Sequence, residues 1–196
     1  LLNKLHLTNV ILVGIGLGGG VAQVLATRLY REKTAAIVLI NSICYLHSFA
    51  ENWPLPDMKK RQEFDAPQHT KLEDMIHDLQ TTLPNGTENQ QRLANVLDQY
   101  ITPWNSELGK EVLFQHIRLL IPYYTNAVST DLQLVDKPTL LIWGEKDQQM
   151  PLKYAERLQH EIAGSQLVTI PNAGHMLLID APDAVANALV DYVSAR

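Results

Sequence analysis

The chain has 196 residues, of which 46% are hydrophobic and 19% charged, so it can bury a sizeable core as about one domain and is unlike a disordered segment. Lys and Arg number 16 against 21 Asp and Glu, and the net charge of −5 argues against a nucleic-acid-binding module, which would carry a basic patch. A single Cys excludes an intramolecular disulfide framework. No run of 18 apolar residues is present, so no membrane span is expected. No secretory leader is visible, and a cytoplasmic location is expected. The chain opens on Leu1-Leu2-Asn3 instead of Met, so a natural start is expected to be missing, by processing, by design of the expressed sequence, or because the sequence is a fragment.

Val10-Ile11-Leu12-Val13 is a short apolar run ending at Gly14, and it reads as a buried parallel strand. Gly14, Gly16, Gly18, Gly19 and Gly20 follow, then Val21, Val24, Leu25 and Leu29 at helical spacing. Ala36–Ile40 is a second buried strand, stopped by Asn41-Ser42. Two such strands joined by a helix predict a right-handed βαβ unit and a parallel sheet.

Residues 46–135 show no further clear strand and are punctuated by proline, which predicts a helical insertion. One helix is predicted from Asp65-Ala66-Pro67 toward Leu83. A second follows a capping box with Thr87 as N-cap and Gln90 at N3. A third opens at Ser106 and carries Val112, Leu113, His116, Ile117 and Leu120. Trp53, Trp104, Tyr123 and Tyr124 read as core of this insertion, or as a pocket wall.

The βα rhythm returns with strands over Thr139–Trp143 and Gln166–Ile170. Tyr154, Leu158 and Ile162 mark one following helix, and Pro182 to Val193 another. The fold class is therefore α/β, a parallel sheet with crossover helices, divided as 1–45, insertion 46–135 and 136–196. Such a sheet places functional groups at the carboxyl ends of its strands.

Gly14-Ile15-Gly16-Leu17-Gly18-Gly19 satisfies G-x-G-x-x-G, a dinucleotide fingerprint, but the end of the second strand holds Asn41 where a ribose-binding acid is needed. The same residues fit the frame of a nucleophile elbow, G-x-S-x-G, with Gly16 at the nucleophile position. Downstream, Gly144-Glu145-Lys146-Asp147 and Asn172-Ala173-Gly174-His175 each lie just past a strand, in the order acid then base. Glu145 is a rival to Asp147 as the acid; Ser42 and Cys44 are rival nucleophiles. The His residues lack ligand spacing, so no zinc site is expected.

With Leu12–Gly19, Pro138–Asp147, Asn172–His175 and Ala181-Pro182-Asp183, the chain resembles the C-terminal two-thirds of an α/β-hydrolase-fold protein. The resemblance implies a serine-hydrolase type of site for esters or related bonds, with Asp147 as acid, His175 as base and the Leu17 N–H as one oxyanion donor. It implies that residues 46–135 are the family's cap, that the substrate is a small molecule, and that no cofactor is needed. It also implies further strands ahead of the elbow strand, which leaves that strand without one neighbour. Gly16 departs from the family's Ser, so the alternative is a ligand- or partner-binding module without turnover.

Overall fold

The computed structural model describes residues 1–45, 63–119 and 127–195. Contacts divide the described residues into two compact units: 1–45 with 127–195, and 63–119.

The first unit is built on a four-stranded parallel sheet in the order β1-β2-β3-β4. The strands are β1 (Val10–Ile15), β2 (Thr34–Ile40), β3 (Thr139–Gly144) and β4 (Gln166–Ile170). Every pairing is parallel, with Leu12 opposite Ile37, Leu39 opposite Leu141 and Ile142 opposite Val168. The central strands β2 and β3 are buried on both faces, which explains their continuous apolar sequence. On one face Ala36, Val38, Ile40, Leu140 and Ile142 pack against Leu177, Val185 and Tyr192. Leu177 lies in α8 (Leu177–Asp180), and Val185 and Tyr192 in α9 (Pro182–Ser194). Against the opposite face lie α1 (Leu17–Val24), beside β1 and β2, and α7 (Lys153–Glu161), beside β3 and β4.

The second unit is helical: α2 (Ala66–His69), α3 (Leu72–Thr82), α4 (Gln90–Ala94), α5 (Leu97–Ile101) and α6 (Glu107–Leu119). Met75, Leu79, Ile101 and Phe114 form its core, with Trp104 partly buried against them. The helix predicted from Asp65 toward Leu83 is in fact two, because Thr70 and Lys71 are extended, at ψ 122° and 147°. The predicted capping box also shifts. Asn89 is the N-cap, accepting from the Arg92 N–H at 3.0 Å, while Thr87 Oγ1 accepts from the Asn89 N–H at 3.1 Å. Gln90 reaches back to the carbonyls of Thr87 and Pro84, so it ties down the approach to the helix instead of its first turn. Ser106 caps α6 through the Gly109 N–H at 2.9 Å. Trp53, Leu120, Tyr123 and Tyr124 lie outside the described residues. Among the described residues no helix is long and apolar enough to cross a membrane.

Candidate active site

The carboxyl ends of β1, β3 and β4 gather three of the residues singled out by sequence. At the end of β1, Gly16 has φ 53° and ψ −117°, in the left-handed half of backbone space where a side chain is strained. Its N–H donates to the Ile40 carbonyl at 3.0 Å, and its own carbonyl accepts from the Ile43 and Gly19 N–H groups at 3.1 Å. The turn is closed so tightly that a Cβ on Gly14 would lie 2.4 Å from the Gly18 carbonyl oxygen. Leu17 opens α1 directly after this turn, so its N–H has no carbonyl of the helix one turn back.

Past β3, Asp147 is buried with its side chain fully covered. Its Oδ1 accepts from the N–H groups of Gln149 and Met150, at 2.9 and 2.8 Å, which fixes the carboxylate plane. Its Oδ2 faces His175 Nδ1 at 2.9 Å. Because a carboxylate only accepts, this contact puts the proton on Nδ1 of a neutral imidazole and leaves Nε2 as the basic nitrogen. His175 is 23% exposed at its side chain, so the pair runs from a buried acid to an accessible ring. Among the described residues, a Cβ built on Gly16 would meet a single neighbour within 4 Å, His175 Nε2 at 3.9 Å.

The loop carrying His175 is held from several sides. Asn172 takes a positive φ of 57° to turn the chain after β4. The Lys146 N–H donates to the Ala173 carbonyl at 2.9 Å, and the Gly174 N–H to Asp180 Oδ2 at 2.6 Å. The rivals fall elsewhere: Glu145 is exposed, while Ser42 is buried with its hydroxyl bonded to the Ile43 carbonyl and to Gln23. Cys44 is fully buried.

A model of the α/β hydrolase fold family matches residues 1–182. The chain belongs to this family. Monoacylglycerol lipase ABHD6 of Bos taurus is 28% identical to this α/β hydrolase over 190 residues, covering 94% of the chain and 54% of the relative. An α/β hydrolase fold protein from Burkholderia ambifaria superimposes with a TM-score of 0.82 at 20% identity, over 97% of this chain and 68% of that one. An esterase from Exiguobacterium antarcticum does so with a TM-score of 0.69 at 22% identity, over 98% and 69%. The chain thus spans about half the length of the lipase relative, and its sheet is that of the hydrolase fold.

Two further residues hold the loop that carries His175. Asn41, read from sequence only as a strand stop and a missing ribose acid, donates from Nδ2 to the Gly174 and His175 carbonyls, each at 2.9 Å. Asp180, which receives the Gly174 N–H, carries no sequence signal, since an acid in a short helix is usually solvated. Asn41 carried a weak one, because Asn just past a strand often takes the left-handed conformation seen here, φ 41°.

Proposed function

We propose that the chain carries the acid–base part of a hydrolase site for esters or related bonds of small molecules. In this reading Asp147 orients His175, Gly16 stands at the nucleophile position, and the Leu17 N–H is an oxyanion donor. The helical insertion 46–135 is then the cap segment of the family. The observation that carries the reading is the approach of His175 Nε2 to within 3.9 Å of a Cβ built on Gly16, together with the Gly16 φ of 53°. A hydroxyl or thiol one bond further out falls within hydrogen-bond reach of Nε2. The similarity to a lipase and an esterase supports ester chemistry, and the net charge of −5 accords with a small-molecule substrate over nucleic acid.

Gly16 has no oxygen or sulfur, so no acyl-enzyme forms at residue 16. The chemistry open to the pair is attack by water on the substrate carbonyl, with the water proton passing to His175 Nε2 and then to the leaving alkoxide. The second reading, ligand binding without turnover, is favoured by the same missing nucleophile atom.

Gly16→Cys tests the site directly, since the natural Cys44 is buried. A thiol beside a basic imidazole ionises more readily than a free one, and its alkylation by iodoacetamide at pH 6 should be roughly tenfold faster than in Gly16→Cys/His175→Ala. Equal rates in the two folded proteins overturn the reading. Hydrolysis of p-nitrophenyl butyrate by the unaltered chain, above the level of His175→Ala, favours turnover; no excess favours the binding module.

A further inference from the structure

Asn41 stands where three strand ends converge. It is fully buried, directly follows β2, and spends its whole side chain on backbone groups. Its Oδ1 accepts from the N–H of Gly144, the last residue of β3, at 2.9 Å. Its Nδ2 donates to two successive carbonyls of the loop after β4, those of Gly174 and His175. One N–H and two carbonyls face it, so only the orientation with Nδ2 toward the loop satisfies all three. Its own N–H donates to the Ile142 carbonyl at 3.1 Å.

We propose that Asn41 is a positioning residue for the Asp147–His175 pair, which sets the backbone of His175 against the strand end that leads into Asp147. The proposal rests on the reading of that pair as functional. Gly144 begins the turn that Asp147 closes, since the Asp147 N–H donates to the Gly144 carbonyl. Asn41 therefore holds both ends of the 2.9 Å contact between Asp147 Oδ2 and His175 Nδ1 through a single rigid amide.

The residue type follows from this task. Asp has the same shape but no hydrogens to give, and it would set an oxygen against two carbonyl oxygens. Leu has the same bulk but would strand two buried backbone groups, the Gly144 N–H and the Gly174 carbonyl. Gln is one methylene too long for a close-packed site. The φ of 41° suits Asn better than most residues with a side chain. A backbone shift of about 1 Å at His175 stretches its contact with Asp147 beyond hydrogen-bonding range.

The test is proton NMR of the full chain. A neutral imidazole N–H held by a buried carboxylate gives a far-downfield signal, which Asp147→Asn should abolish. In folded Asn41→Asp, with a cooperative urea transition, that signal is expected to vanish or to exchange with water at least tenfold faster. An Asn that merely ties strands together would lower the urea midpoint and leave the signal of the folded molecules unchanged. That outcome overturns the proposal. Asn41→Gly, which keeps the positive φ and removes the amide, gives the same readout if Asn41→Asp does not fold. A measurement on the unaltered chain needs no variant: both Asn41 Nδ2 protons should exchange slowly, and exchange at the rate of an exposed amide overturns the proposal. Absence of any Asp147-dependent signal in the unaltered chain overturns the Asp147–His175 reading, and this proposal with it. A signal present there but kept in Asn41→Asp overturns only the part given to Asn41.

Discussion

His175 Nδ1 meets Asp147 Oδ2 at 2.9 Å across 28 residues of sequence, while His175 Nε2 lies 3.9 Å from a Cβ built on Gly16. One imidazole thus links a buried carboxylate to a position that holds no nucleophile. The carboxylate is the fixed member, since two backbone N–H groups hold its Oδ1.

Asp147→Asn should leave the two backbone bonds in place but turn an N–H₂ toward Nδ1. The imidazole then carries its proton on Nε2 and loses the base that faces residue 16. Alkylation of Gly16→Cys/Asp147→Asn is expected to fall to the level of Gly16→Cys/His175→Ala. Stability should drop by about 1–2 kcal/mol for the lost charge-assisted bond, read from urea unfolding.

The glycines around the turn after β1 are not equivalent. A methyl group on Gly14 would lie 2.4 Å from the backbone oxygen of Gly18, which cannot move without opening the turn. Gly14→Ala should therefore cost at least about 2 kcal/mol. Among the described residues nothing lies within 4 Å of a Cβ added to Gly18, which is in the first turn of α1, so Gly18→Ala should be neutral or stabilising by up to about 1 kcal/mol. Urea midpoints of the two variants check the contrast; equal loss in both contradicts it.

Arg28 pairs with Asp131 and also donates to the Ala127 carbonyl, which anchors the returning chain beside α1. The guanidinium bond holds the Asp131 carboxyl below its ordinary value of 3.8. A depressed folded-state value means that the contribution is present above about pH 4 and is lost as pH falls through the folded value. Both side chains are partly exposed, so the amount is below about 1 kcal/mol. Asp131→Asn should lower stability at pH 7 and converge with the unaltered chain near pH 2, in thermal melts across that range.

β1 lies at an edge of the sheet among the described residues, with Val13 51% and Ile15 43% exposed. An apolar edge of this kind invites pairing with another strand. Sedimentation should show concentration-dependent association that Val13→Lys reduces. A monomer at all concentrations removes the prediction.

The strands were legible because β2 and β3 are covered on both faces, and continuous apolar runs such as Ala36–Ile40 and Thr139–Trp143 have no other use in a chain this polar. Their parallel pairing followed from the helices between them. The insertion was legible as helical but not in its breaks. Nothing in Thr70-Lys71 forbids a helix; the break follows from tertiary contacts, since α2 and α3 each pack on α6 and Lys110 of α6 donates to the Thr70 carbonyl. The capping box misled because Thr87 and Asn89 both can cap, and the choice between them depends on where the chain from Pro84 arrives.

Sequence alone determined the family's frame: a glycine-tight turn after a strand, an acid after the third strand and a histidine after the fourth. It also determined that residue 16 brings no side chain to the site. Only the tertiary structure decided which acid meets which ring nitrogen, since Glu145 and Asp147 share one turn and differ in burial. It alone revealed Asn41, whose three partners come from β3 and from the loop beyond β4. Hydrophobic periodicity is a local property of the chain and can be read along it. A hydrogen bond between strand ends depends on register and backbone direction, which exist only once the sheet has formed.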